Sequence, residues 1–273
     1  TISGSLLMVM NIGTSEGKTA ICAADESSVS IRGLDLCHDL MGKMSFSAFF
    51  CFLLTGKEPS DQQVLFVDAA LLAIAEHGLT PSVQASRMTH AADPGSVQGA
   101  VAAGILGCGS VVLGTAEIVG SLLARGIEDA EKTGQSYADS ADTLVQNIRA
   151  EKRKLPGFGH PLHKRGDPRC ERLLELAEDR GVAGPHVAFA RALKQAADRE
   201  YQRPMVMNVS AAIPAVLLDL EFPLAAMKGI PILARTAGLL AHLLEESERP
   251  IGFHLSYLAG KEIEYDGPLP EDK

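Results

Sequence analysis

A mainly α-helical protein is what the sequence predicts, on three observations. Apolar residues recur at helical spacing in long segments: "QVLFVDAALLAIAEHG" over 63–78 stops at Gly78, and residues 46–54, 185–197 and "GIPILARTAGLLAHLLEE" over 229–246 read the same way. Strand signals are sparse, since only "SSVSIRG" (27–33) alternates and "PMVMNVS" (204–210) makes a short β-like run, neither within a repeating βαβ pattern. Helix-start chemistry is explicit at Asp167-Pro168, an N-cap and first-turn pair, from which "RCERLLELAEDRG" continues as an amphipathic helix to Gly181.

The chain has 273 residues, enough for one large or two moderate domains. Its charged, glycine-punctuated stretch from Arg125 to Lys154 marks the clearest shift in composition, where a second lobe can begin. A formal net charge of −9 argues against a general nucleic-acid surface, so any basic site is local. Cys22, Cys37, Cys51, Cys108 and Cys170 are odd in number, scattered and free of any CxxC pair, which suits reduced thiols in a cytoplasmic protein and excludes a structural zinc. The opening residues show neither a basic start nor a small-residue cleavage site, so no signal peptide is expected. Residues 96–124 carry a single charge, Glu117, but glycine and alanine dominate them; a closely packed, buried helix pair is expected there rather than a membrane span.

The densest chemistry lies in "LPGFGHPLHKRGDPRC", residues 155–170. A glycine-flanked loop carrying His160 feeds a helix N-terminus. Arg169 then sits in the first helical turn, on the unfavourable side of the helix dipole unless an anion binds there. His160, able to share a proton near neutrality, and Arg169 together suit a carboxylate beside a polarised oxygen. The same residues also fit a plainer arrangement, in which Arg169 pairs with Glu171 or Glu175 and His160 caps a turn.

"GFGHPLHKRGDPR" resembles the citrate synthase superfamily pattern of glycines, histidine, a basic residue and Asp-Pro-Arg. Further segments agree in order across nearly the whole chain: "IRGLDL" (31–36), "FLLTGKEPS" (52–60), "AEHGLTPS" (75–82), "NVS" (208–210), "ARTAGLLAH" (234–242) and "YDGP" (265–268). In length the chain is similar to short citryl-CoA lyases and to the lyase module of ATP-citrate lyase. The resemblance implies an almost wholly helical homodimer, with a large helical domain (1–112 and 223–273) and an inserted smaller domain (113–222) closing on substrate. It implies that His77 hydrogen-bonds the oxoacid part of the substrate and that His160 polarises its ketone or holds its hydroxyl. Arg169 and Arg235 match carboxylate-binding arginines. Lys164 falls near the phosphates of a coenzyme A thioester substrate, and the backbone of Gly157, Phe158 and Gly159 cradles that molecule; no metal is implied. For Arg235 the plainer alternative is a salt bridge to Glu245 or Glu246. His163, His242 and His254 have weaker claims: His242 as a structural partner in its helix, the other two at the edge of the site.

The sequence departs from the family pattern at three places. Val112 stands where the family has its first catalytic histidine, as the ATP-citrate lyase module also lacks it. Ser210 replaces the catalytic aspartate, and a serine hydroxyl is no carbon-acid base without an activating partner. A third arginine for carboxylate has no equivalent, with His254 or Leu255 falling closest. The expected activity is cleavage of a 3-hydroxy-3-carboxyacyl-CoA into an acetyl-CoA-like thioester and an oxoacid such as oxaloacetate, with water held by Ser210 as the proton source. The alternatives are a synthase acting on another 2-oxoacid and a non-catalytic member that binds CoA or carboxylates. No nucleic-acid or membrane partner is expected.

Overall fold

Local signals explain the first of two compact units, residues 1–58, in a computed structural model that describes residues 17–109, 113, 115–160 and 162–268. Strands β1 (Cys22–Ala24), β2 (Val29–Ile31) and β3 (Leu34–Asp35) form an antiparallel meander in that order, with Cys22 opposite Ile31 and Ile31 opposite Leu34. The β2–β3 turn places Arg32 at φ 51° and Gly33 at φ 90°, the two positive values that a two-residue hairpin turn requires. A π-helical turn (Leu36–Leu40) leads to α1 (Phe46–Thr55), capped by the Ser45 hydroxyl and ended by Gly56 at φ 71°. Ile31, Leu40 and Phe52 form the core of this unit, and Arg32 donates to the Leu53 carbonyl near the end of α1.

The second unit, residues 59–273, is built from ten α-helices among the described residues: α2 (Asp61–Ala75), α3 (Pro81–Ala92), α4 (Val97–Leu106), α5 (Thr115–Thr133), α6 (Tyr137–Ala150), α7 (Pro168–Asp179), α8 (Pro185–Tyr201), α9 (Val209–Asp219), α10 (Gly229–Glu248) and α11 (Gly252–Glu262). Helix α9 buries Val209 and every residue from Ala211 to Leu217, because α2, α5, α7 and α8 surround it. Helix α10 packs on α2, α3 and α4. Contacts are close where glycine permits: a Cβ at Gly126 would overlap the Phe189 ring, and one at Gly238 would overlap the Ala75 carbonyl.

The mainly helical class read from the sequence is the one observed. Residues 96–124 form parts of two helices, α4 and α5, whose main partners are α3 and α9 rather than each other. The expected β-like run at 204–210 is a correction: only Met207 bridges, to Phe158, and Val209 already opens α9. Helix α2 also ends earlier than its periodicity suggests, because Glu76 turns extended and its carboxylate accepts the Gly78 N–H. Among the described residues, Leu224–Glu248 is the stretch long and apolar enough to cross a membrane, and its helix α10 packs one side on α2, α3 and α4 while Leu240 and Leu244 are exposed.

Candidate active site

Two motifs far apart in sequence are one structure here. Gly157 (φ 78°) and Gly159 (φ 87°) bend the loop before α7. A Cβ on Gly157 would also lie 2.8 Å from Val119 and 2.9 Å from Ala211, so glycine is required there for space as well as conformation. The loop pairs with the segment entering α9: Gly159 N–H donates to Val206 at 2.6 Å, and Asn208 N–H donates to Gly157 at 2.9 Å. The Asn208 side chain then caps α9 through Ser210 N–H and donates its amide to the Gly159 carbonyl.

Asp167 completes this frame. It caps α7 as expected, and its buried carboxylate also accepts the Val209 N–H and two bonds from the Arg169 guanidinium at 2.9 Å. Burial alone would raise its pKa, but Arg169 and the Val209 N–H hold the carboxyl below its ordinary value. The partner of Arg169 is therefore Asp167, not Glu171 or Glu175; Glu171 pairs with Arg191.

His77, His160 and His163 converge. The His160 and His163 ring centres are 4.3 Å apart, and the His77 centre is 5.4 Å from each. His160 Nδ1 accepts the backbone N–H groups of Leu162 and His163, so its proton resides on Nε2. Nε2 lies 3.3 Å from Arg169 Nη2. Two donors facing each other at that distance suit one acceptor oxygen placed between them. Burial and the neighbouring His163, Arg169 and His77 push His160 below its ordinary pKa, keeping it a neutral donor, and burial followed by Arg169 does the same to His77. The Nε2 of His77 is buried with no partner among the described residues. The ring nitrogens of the three histidines come within 4.8 Å of one another, a spacing a metal ion accepts. They do not fit one, since the Nε2 of His160 carries a proton and has no lone pair to give.

Arg235 is only 4% exposed, yet its Nε and Nη1 have no hydrogen-bond partner among the described residues. Glu245 and Glu246, its alternative partners, are both held by Arg87. The charge of Arg235 is felt by His77 and by Cys108, which places it in the same electrostatic neighbourhood. A buried guanidinium without an acceptor is costly unless an anion completes it.

Lys164 donates to the His160 carbonyl and lines a cavity of about 300 Å³ with Gly159, His160, His163 and Arg203. Lys164, Arg165 and Lys194 line an adjoining cavity of about 610 Å³. Ser210 occupies the first turn of α9, and its hydroxyl has no hydrogen-bond partner among the described residues. His254 is exposed and stacks on Tyr257, and Leu255 lies beside it on α11. Val112 lies outside the described residues. The composite role of Asp167 had no signal in the sequence beyond the cap, because its second partner, Val209, is 42 residues away.

Residues 13–252 match the family described as citrate synthase, C-terminal domain. Among solved structures, the citryl-CoA lyase from Hydrogenobacter thermophilus superposes with a TM-score of 0.81 at 29% identity, covering 94% of this chain and 97% of that one. The ATP citrate lyase from Methanothrix soehngenii, in complex with citrate and coenzyme A, shares the fold over 94% of this chain and 42% of its own, with a TM-score of 0.75 at 19% identity. The citrate/2-methylcitrate synthase of Bacillus subtilis is 30% identical over 213 residues, which are 74% of this chain and 53% of that protein. The chain spans about half the length of the curated relatives it matches.

Proposed function

The chain belongs to the citrate synthase C-terminal domain family, and from that membership and the site we propose that it cleaves a citryl-CoA-like 3-hydroxy-3-carboxyacyl-CoA into an acetyl-CoA-like thioester and an oxoacid. The observation that carries this reading is the buried Arg235 guanidinium, whose Nε and Nη1 have no partner among the described residues, in the same field as His77. A substrate carboxylate is the natural acceptor for its open nitrogens. Arg169 holds a second carboxylate. His160 Nε2 and His77 Nε2 hydrogen-bond the 3-hydroxyl and stabilise the carbonyl oxygen that replaces it as the bond breaks. The CoA portion lies along Gly157, Phe158 and Gly159, with Lys164 at its phosphates. Ser210 orients water.

The protein acts as a homodimer with its smaller domain (113–222) closing on the larger, and its five free thiols suit the cytoplasm. Sedimentation as a stable monomer at micromolar concentration would overturn the dimer. Because any catalyst of cleavage also catalyses condensation, the likeness to a citrate/2-methylcitrate synthase supports a second reading, synthesis from another 2-oxoacid. Mass spectrometry separates these. The lyase reading expects thioester and oxoacid from a panel of 3-hydroxy-3-carboxyacyl-CoA substrates, and the second expects condensation products from acetyl-CoA or propionyl-CoA with 2-oxoacids. Calorimetric binding of CoA without turnover on either panel points to a non-catalytic member.

A further inference from the structure

We propose that His163 is the proton carrier of this site, a role that neither Ser210 nor any carboxylate of the described site fills. The inference rests on the cleavage reading above and adds the group that moves the proton. Its basis is position. His163, like His160, touches the other two imidazoles and lines the cavity shared with Lys164 and Arg203. The scissile carbon–carbon bond joins the fragment held by the histidine pair to the thioester, so it lies where those two regions meet. His160 cannot take a proton there: Nδ1 is committed to two backbone N–H groups and Nε2 already carries hydrogen. His77 does not line that cavity. The ring nitrogens of His163 have no hydrogen bond to any described residue and are free to accept and return one. The charged and titratable groups beside it are His77 before α3, His160 and Lys164 on its own loop and Arg203 after α8, and those acting on its two neighbouring histidines are Asp167 and Arg169 at the start of α7 and, for His77, Arg235 on α10.

The step balances without an outside reagent. Neutral His163 takes the 3-hydroxyl proton. The oxygen lone pair closes the carbonyl, and the electron pair of the carbon–carbon bond passes to the thioester fragment as an enolate. The His163 imidazolium then returns the proton to the enolate carbon, which was bonded to the carbinol carbon and so stays within reach of the same ring. Throughout, His160 Nε2–H donates to the oxygen. One histidine thus serves both proton transfers, and neither an aspartate at Ser210 nor a histidine at Val112 is needed.

The test uses the full chain with synthetic citryl-CoA, and exchange of acetyl-CoA methyl protons with deuterated solvent as a second readout. His163→Gln should lower cleavage by about 10² to 10⁴, the range for a lost acid–base group, and abolish exchange, while CoA affinity is unchanged and added imidazole restores part of the rate. His163→Asn, also uncharged, repeats the test if the glutamine variant fails to fold. A wild-type chain that cleaves, with His163→Gln within threefold of it, overturns the role of His163 and leaves the cleavage reading standing. A wild-type chain that neither cleaves citryl-CoA nor exchanges methyl protons overturns the reading beneath it.

Discussion

Arg87 and Arg235 lie on two helices that pack together, α3 and α10, and are almost equally buried, at 2% and 4% exposure. Arg87 is saturated: Nε donates to Glu246 at 2.6 Å, Nη1 to Glu245 at 2.7 Å and Nη2 to the Arg249 carbonyl. Glu246 in turn accepts the N–H groups of Ile251 and Gly252, so the pair ties α3, α10 and the start of α11 together. Two nitrogens of Arg235 find no partner among the described residues. The difference teaches that burial of a charge does not reveal its purpose. A satisfied guanidinium belongs to the scaffold, and one with open nitrogens is the candidate for the anion proposed above.

The largest effect that would sharpen the comparison is on stability. Arg87→Met should cost about 3–5 kcal/mol in chemical denaturation, because it strands the buried Glu246 carboxylate. Arg87→Met with Glu246→Leu should recover much of that loss; equal instability of the single and double variants would break the assignment of Arg87 to the scaffold.

Arg235→Met should do the opposite. Stability is unchanged or improved, since an unpaired buried charge is removed, and binding of oxaloacetate or citrate weakens by about 2–5 kcal/mol with CoA affinity unaffected. Calorimetry and denaturation on one preparation check both halves. Destabilisation with intact carboxylate binding would place Arg235 beside Arg87 as a scaffold residue.

Asp219 offers a milder contrast within the scaffold. Its buried carboxylate accepts the N–H groups of Gly184, His186 and Val187 and the His186 ring, capping α8 from the end of α9. Burial opposes ionisation there, but the His186 and backbone bonds together hold the carboxyl below 3.8. A depressed carboxyl contributes stability that is fully present above its ordinary value and is lost as pH falls through the lower folded one. Asp219→Asn should therefore be about 1–2 kcal/mol less stable near neutrality, and the gap to wild type should narrow as pH falls below 3.8. Thermal unfolding over that range checks it; a gap that does not change with pH would show that the charge is idle.

The smallest expected effect is at Ser210, whose hydroxyl, like the Arg235 guanidinium, lacks a partner. Ser210→Ala should slow cleavage about tenfold, as for a group that orients water rather than one that carries the proton. A loss as large as that of His160→Ala, about 10² to 10⁴, would make Ser210 a direct participant.

Much of the frame was legible in the sequence because its causes are local. The period of apolar residues sets α2, α8 and α10, Asp167 and Pro168 start α7, and Gly157 and Gly159 allow a bend that few other residues accept. The family motifs sit in such segments, so the resemblance could name His77, His160, Arg169 and Arg235. Only the tertiary structure decided what those side chains meet. Arg87 and Glu246 are 159 positions apart, and nothing local tells that Glu246 serves Arg87 and leaves Arg235 bare. Residues 204–210 prefer a strand by composition, but Asn208 caps a helix once the loop of Gly159 is beside it. His163 reads as a loop residue until α2 brings His77 to it from 86 positions away. Periodicity and caps act over a few residues, whereas which charge is satisfied, which nitrogen carries a proton and which imidazoles converge depend on contacts that exist only when distant helices pack.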